Sequence, residues 1–192
     1  MLADTEPVHF ACWREILRPF GIELDWETYR LRGIGRTDVE LLGALGALAD
    51  PPLGPDIVSS RVPAKRKRFV ELALQDRPLS GATVELIRSL SCYKMAIVTS
   101  SNRSEIEPLL AAAGVLHCFG ALVCGREAGR PKPAPDPYLL AADILRAHRP
   151  LVVEDSEAGV ASARAAGFEV LRVANAQETP AAVRAALGSV RK

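Results

Sequence analysis

The stretch from Arg130 to Gly167, RPKPAPDPYLLAADILRAHRPLVVEDSEAGVASARAAG, constrains this chain more than any other. It sets Lys132 in a loop braced by prolines and follows it with a helix. An apolar strand ending in Glu154-Asp155 comes next, then a small-residue helix closed by Gly167. A cation in a stiff loop, together with a carboxylate pair at a strand end, suits a doubly charged anion and a hard metal ion.

From Gly81 onward the pattern alternates. Helices are predicted over Gly81–Leu90, from the Ser104-Glu105-Ile106-Glu107 capping box to near Gly114, from Asp136-Pro137, over Ser156–Ala166 and from Thr179-Pro180. Short apolar strands are predicted over Met95–Val98, Ala121–Cys124, Leu151–Val153 and Val170–Val173. Strands alternating with helices imply a parallel sheet covered on both faces.

The chain before Leu79 reads as helical throughout. Asp4 or Thr5 caps a first helix with Phe10, Trp13, Ile16 and Leu17 on one face, stopped by Pro19 and Gly21. Thr37-Asp38-Val39-Glu40 fits a capping box, Asp50–Pro55 reads as a linker, and Lys65–Gln75 as a helix with a basic first half. The expected organisation is a helical domain over 5–79 and an α/β domain over 1–4 and 80–192.

A formal net charge of +1 supplies no global field for nucleic acid or an anionic membrane, so an anion site must be local. Cys12, Cys92, Cys118 and Cys124 form no C-x-x-C pair and read as reduced thiols. The segment Leu109–Cys124 is apolar but carries His117 and two glycines, and reads as a helix end followed by a buried strand. MLADTEP has neither the basic nor the apolar region of an export signal, so the expected location is cytoplasmic.

In open α/β sheets, ligands bind beyond the carboxyl ends of the strands. Thr99-Ser100-Ser101-Asn102 lies at one such end, Glu154-Asp155 at another, and Lys132 in the loop after a third. Hydroxyl and amide donors suit phosphate oxygens, the ammonium offsets their charge, and a carboxylate pair suits magnesium shared with phosphate.

These residues carry a resemblance. Ile97-Val98-Thr99-Ser100, Lys132-Pro133-Ala134-Pro135-Asp136 and Val152-Val153-Glu154-Asp155-Ser156-Glu157-Ala158-Gly159 resemble the second, third and fourth motifs of the haloacid-dehalogenase-like hydrolases. The likeness is to the subfamily with a small helical cap that includes phosphoglycolate phosphatase and β-phosphoglucomutase. It implies a Rossmann-like parallel sheet with helices on both faces plus a helical cap. It also implies roles: Thr99 binds the transferring phosphoryl group, Lys132 neutralises it, and Glu154 with Asp155 holds Mg2+. Ser100 and Asn102 would add donors, and Arg36, Lys65 and His9 match positions where the cap contributes substrate contacts.

The family's first motif, D-x-D-G-T/V-x-x-D-[ST], is matched only in its tail, by Met1-Leu2-Ala3-Asp4-Thr5. The resemblance then places the nucleophilic and acid/base aspartates, and the central strand that carries them, ahead of residue 1. Met1 is expected to be an internal methionine, which reading the gene upstream in frame would test. The expected function is a magnesium-dependent phosphomonoester hydrolase of a small phosphorylated metabolite, inactive as written for want of the nucleophile strand. A sugar-phosphate mutase and a non-catalytic phosphate-ester-binding remnant are the alternatives. No nucleic-acid or membrane partner is expected, and the protein should be a monomer or weak homodimer.

Overall fold

The computed structural model describes residues 2–34, 38–75 and 79–190. The chain divides into two compact units, Thr5–Asp76 and Met1–Asp4 with Arg77–Lys192. The first is helical. Helix α1 (Glu6–Leu17) takes Pro7 in its opening turn, where the missing N–H costs nothing. Gly21, at φ +70°, turns the chain after a short 3-10 segment. Helix α2 (Trp26–Arg32) is capped by Asp25, whose carboxylate accepts the Thr28 N–H at 2.8 Å. Helices α3 (Asp38–Gly46) and α4 (Pro55–Gln75) complete the unit.

Trp13 and Leu17 bury the expected face of α1 against Leu41, Leu42 and Leu45 of α3 and Val62 of α4. One expectation shifts here. Helix α4 begins at Pro55 rather than near Lys65 and runs through Pro63, so the linker shortens. The capping box expected at Thr37 lies outside the described residues, apart from its helical side from Asp38.

The second unit is α/β. Its elements are α5 (Gly81–Ser89), β1 (Ala96–Thr99), α6 (Arg103–Ala112), β2 (Ala121–Cys124), α7 (Asp136–Leu145), β3 (Leu151–Glu154), α8 (Glu157–Ala165), β4 (Glu169–Arg172) and α9 (Thr179–Val190). β1 pairs with β2 and β3 with β4, both parallel, with Ala96 opposite Ala121 and Leu151 opposite Glu169. Parallel neighbours need a crossover between them, which α6 and α8 supply. This is the Rossmann-like α/β fold, but among the described residues the strands form two separate pairs rather than one continuous sheet.

Leu79, Ile87, Leu110 and Val115 pack one core with Leu2 and Ile97, while Tyr138, Val152 and Ala163 pack another with Val98 and Val170. Helix α6 starts two residues earlier than predicted. Asn102 rather than Ser104 is its N-cap, because Glu105, not Glu107, reaches back to the Asn102 N–H at 3.0 Å. Among the described residues no helix is long and apolar enough to cross a membrane. Among the described residues Cys12, Cys92, Cys118 and Cys124 form no disulfide.

Candidate active site

The carboxyl ends of β1 and β3 are tied by one side chain. Lys132 Nζ donates to the Val98 carbonyl oxygen at 3.1 Å and to Glu154 Oε1 at 2.5 Å. Both side chains of this ion pair are only 8% exposed. The loop presenting Lys132 is closed at its base by a bidentate pair, Arg130 Nε and Nη2 on Asp136 at 3.0 and 2.9 Å. It is pinned to α8 by the Ser162 hydroxyl donating to the Ala134 carbonyl at 2.5 Å. Asp136 is thereby the first residue of α7 rather than its N-cap, a place taken by Pro135.

Glu154 ends β3 with both oxygens engaged. Oε1 also accepts from the Tyr138 hydroxyl at 3.0 Å, and Oε2 accepts from the Asp155 and Ser156 N–H groups at 2.7 and 2.9 Å and from Ser156 Oγ at 3.2 Å. Burial alone would raise its pKa, but Lys132 and these donors outweigh it and hold the carboxyl down at about 2. Gly159 leaves room for the group, since a Cβ there would overlap the Glu154 carboxylate. Burial and Glu154 push the Tyr138 phenol up, so it remains a donor.

Asp155 is half-buried, and its pKa is raised by burial first and then by Glu154 beside it. Two carboxylates at such a distance repel until a cation sits with them. Glu154 is committed to Lys132, Tyr138 and the β3–α8 turn, and Asp155 is the second carboxylate of the pair. Among the described residues no group of three or more metal-ligating side chains is assembled. A hard cation here therefore needs further oxygen ligands besides Asp155, such as those of a bound phosphate.

Thr99 closes β1. Its Oγ1 accepts from the Ser101 N–H at 3.1 Å, which turns the chain and leaves the hydroxyl hydrogen to donate outward. Ser100 is exposed beside it. Asn102, expected as a substrate donor, instead caps α6 and turns its side-chain amide to Glu105 Oε2 at 3.3 Å. Thr99, Lys132, Glu154 and Asp155 are thus gathered by the ends of β1 and β3. Tyr138 and Ser162 are supporting residues that the sequence reading did not single out, and Gly159 entered it only as the last residue of the fourth motif.

The helical unit holds a buried polar cluster of its own. Lys65, 1% exposed, donates to Asp38 Oδ1 at 2.9 Å and to His9 Nδ1 at 2.8 Å, and Arg66 Nε adds a second bond to Asp38 at 3.1 Å. His9 stacks on Phe69 with ring centroids 4.1 Å apart. Burial, then the neighbouring Lys65, lower the His9 pKa to about 3, although Asp38 opposes them. An ammonium has no lone pair to offer, so His9 accepts at Nδ1 and carries its proton on Nε2. Arg36 lies outside the described residues.

A family model for haloacid dehalogenase-like hydrolases matches residues 2–167. The chain belongs to that family. It is 30% identical over 176 residues to the fructose-1-phosphate phosphatase YqaB of Escherichia coli (strain K12), covering 90% of each chain. A CbbY variant from Rhodobacter sphaeroides, solved with xylulose-(1,5)bisphosphate, superposes with a TM-score of 0.77 at 26% identity, covering 88% of this chain and 80% of that one. A β-phosphoglucomutase from Clostridium difficile shares the fold, with a TM-score of 0.74 at 19% identity over 92% of this chain and 82% of its own. The protein is accordingly a phosphatase-type hydrolase, and hydrolases of its family use a divalent metal ion.

Proposed function

We propose that the protein is a magnesium-dependent phosphomonoesterase of small phosphorylated carbohydrates, built on the ends of β1 and β3. The observation that carries this is Lys132, a cation locked between the Val98 carbonyl and Glu154 with one N–H left over. That N–H takes a phosphoryl oxygen, and the Thr99 hydroxyl and Ser100 donate to the others. Charge that builds on the phosphoryl oxygens in the transition state is met by donors already in place.

Magnesium, bound by Asp155 together with phosphate oxygens, would supply further charge neutralisation. Glu154 serves this site by holding Lys132. Recognition of the organic half of the ester is assigned to His9, whose Nε2–H is fixed by Lys65, and to Arg36. Lys65 acts through His9. The sugar phosphates in the names of the relatives support the substrate class.

The likeness to the family implies an attacking carboxylate and a second, acid/base aspartate at this site. Covalent transfer through an aspartyl-phosphate then follows the general logic of nucleophilic catalysis.

The test measures phosphate release from a panel of sugar phosphates, and isomerisation of glucose 1-phosphate. Both are run on the protein and on its Lys132→Ala variant. The proposal expects phosphate release that Lys132→Ala abolishes. Isomerisation without release would replace the phosphatase by a mutase.

A further inference from the structure

Tyr138 is 6% exposed on the inner face of α7 and packs with Val152 and Ala163. A phenylalanine would fill the same space without burying a hydroxyl, and a buried hydroxyl is tolerated only when it is bonded. The bond it makes is specific. The hydroxyl donates to Glu154 Oε1 at 3.0 Å, the same oxygen that receives Lys132. The ring also lies under the ammonium, with Lys132 Nζ 5.0 Å from its centroid.

The other members of this cluster are held elsewhere. Glu154 Oε2 is fixed by the β3–α8 turn, and the Lys132 backbone by Arg130–Asp136 and Ser162. What is left to fix is the end of the pair itself, Oε1 and the ammonium on its flexible four-carbon stem, which has the Val98 carbonyl as its other hydrogen-bond partner. Tyr138 touches both.

We propose that Tyr138 is a positioning residue for phosphoryl transfer, fixing the Lys132 ammonium through Glu154 and through its own ring without touching the substrate. The proposal rests on the reading of Lys132 as the anion-binding cation. Pre-organised donors are what such a site contributes, and an ammonium that wanders loses that advantage.

The experiment titrates inorganic phosphate into the chain by calorimetry for wild type, Tyr138→Phe and Lys132→Ala, with urea unfolding run alongside. Proton–nitrogen NMR of the lysine ammonium groups reports whether Lys132 is held. In Tyr138→Phe the phosphate Kd rises about tenfold, the worth of one charge-assisted hydrogen bond. The Lys132 ammonium signal, protected from solvent exchange in wild type, is lost. A merely structural tyrosine would lower the urea midpoint and leave both unchanged, and that result overturns the proposal. If Lys132→Ala binds phosphate as well as wild type does, the anion-site reading falls and the proposal with it. Loss of binding in Lys132→Ala alone leaves the anion site standing and removes only the role of Tyr138.

Discussion

Replacing Gly159 by alanine separates two opposed expectations. Gly159 lies in the first turn of α8, and helix propensity alone makes Gly→Ala there stabilising by up to about 1 kcal/mol. The site predicts the opposite. The added Cβ would occupy the space of the Glu154 carboxylate, a group 8% exposed that accepts from Lys132, Tyr138, Asp155, Ser156 N–H and Ser156 Oγ. Glu154 must turn away and leave Lys132 buried without its partner, a loss of about 3–5 kcal/mol where one side of a buried pair is removed. Net of the propensity gain, Gly159→Ala should destabilise by about 2–4 kcal/mol. Urea unfolding reads this as a fall in midpoint at unchanged m-value. A variant as stable as wild type, or more so, would refute the placement of Glu154 and with it the organisation of the site.

In the helical unit, Asp38→Ala should lower stability by about 3 kcal/mol, because Lys65 is then buried without its carboxylate; thermal unfolding measures it. Arg130→Ala should leave the thermal midpoint nearly unchanged in the same assay, since the Arg130 side chain is 75% exposed. His9 makes stability depend on pH. Its pKa is about 3 in the folded protein against an ordinary 6.5, so the unfolded chain binds the extra proton between these values. Stability should therefore be full above pH 6.5 and fall as pH drops toward 3, an effect of the order of a few kcal/mol that His9→Asn removes. Glu154, at about 2 against 4.5, adds its own loss below pH 4.5 in both proteins, so the difference between them isolates His9.

The strands were legible because AIVT, ALVC and LVVE are short apolar runs between turn residues, and burial decides their type. Lys132, Glu154 and Asp155 were legible as a group because chain order places all three at strand ends or in the loop after one. What could not be read is long-range. Nothing near Glu154 in sequence says that its carboxylate turns inward, because Tyr138, sixteen residues earlier, and Lys132, twenty-two earlier, draw it there. Lys65, matched by the resemblance to a position of substrate contact, is held by Asp38 and His9 from other helices, partners that no local pattern announces.

The cap of α6 was a choice between two similar spacings, Asn102 with Glu105 and Ser104 with Glu107. Glu105, 1% exposed, takes the inner place and settles it. Helix α4 ran past Pro63, which a sequence reading treats as punctuation.

The central claim is that the ends of β1 and β3 form a phosphate-ester site. Calorimetric titration of fructose 1-phosphate into this chain, with and without Mg2+, tests it most directly. The account predicts binding that Lys132→Ala abolishes and whose dependence on Mg2+ is lost in Asp155→Asn. Binding that survives both substitutions unchanged would contradict it.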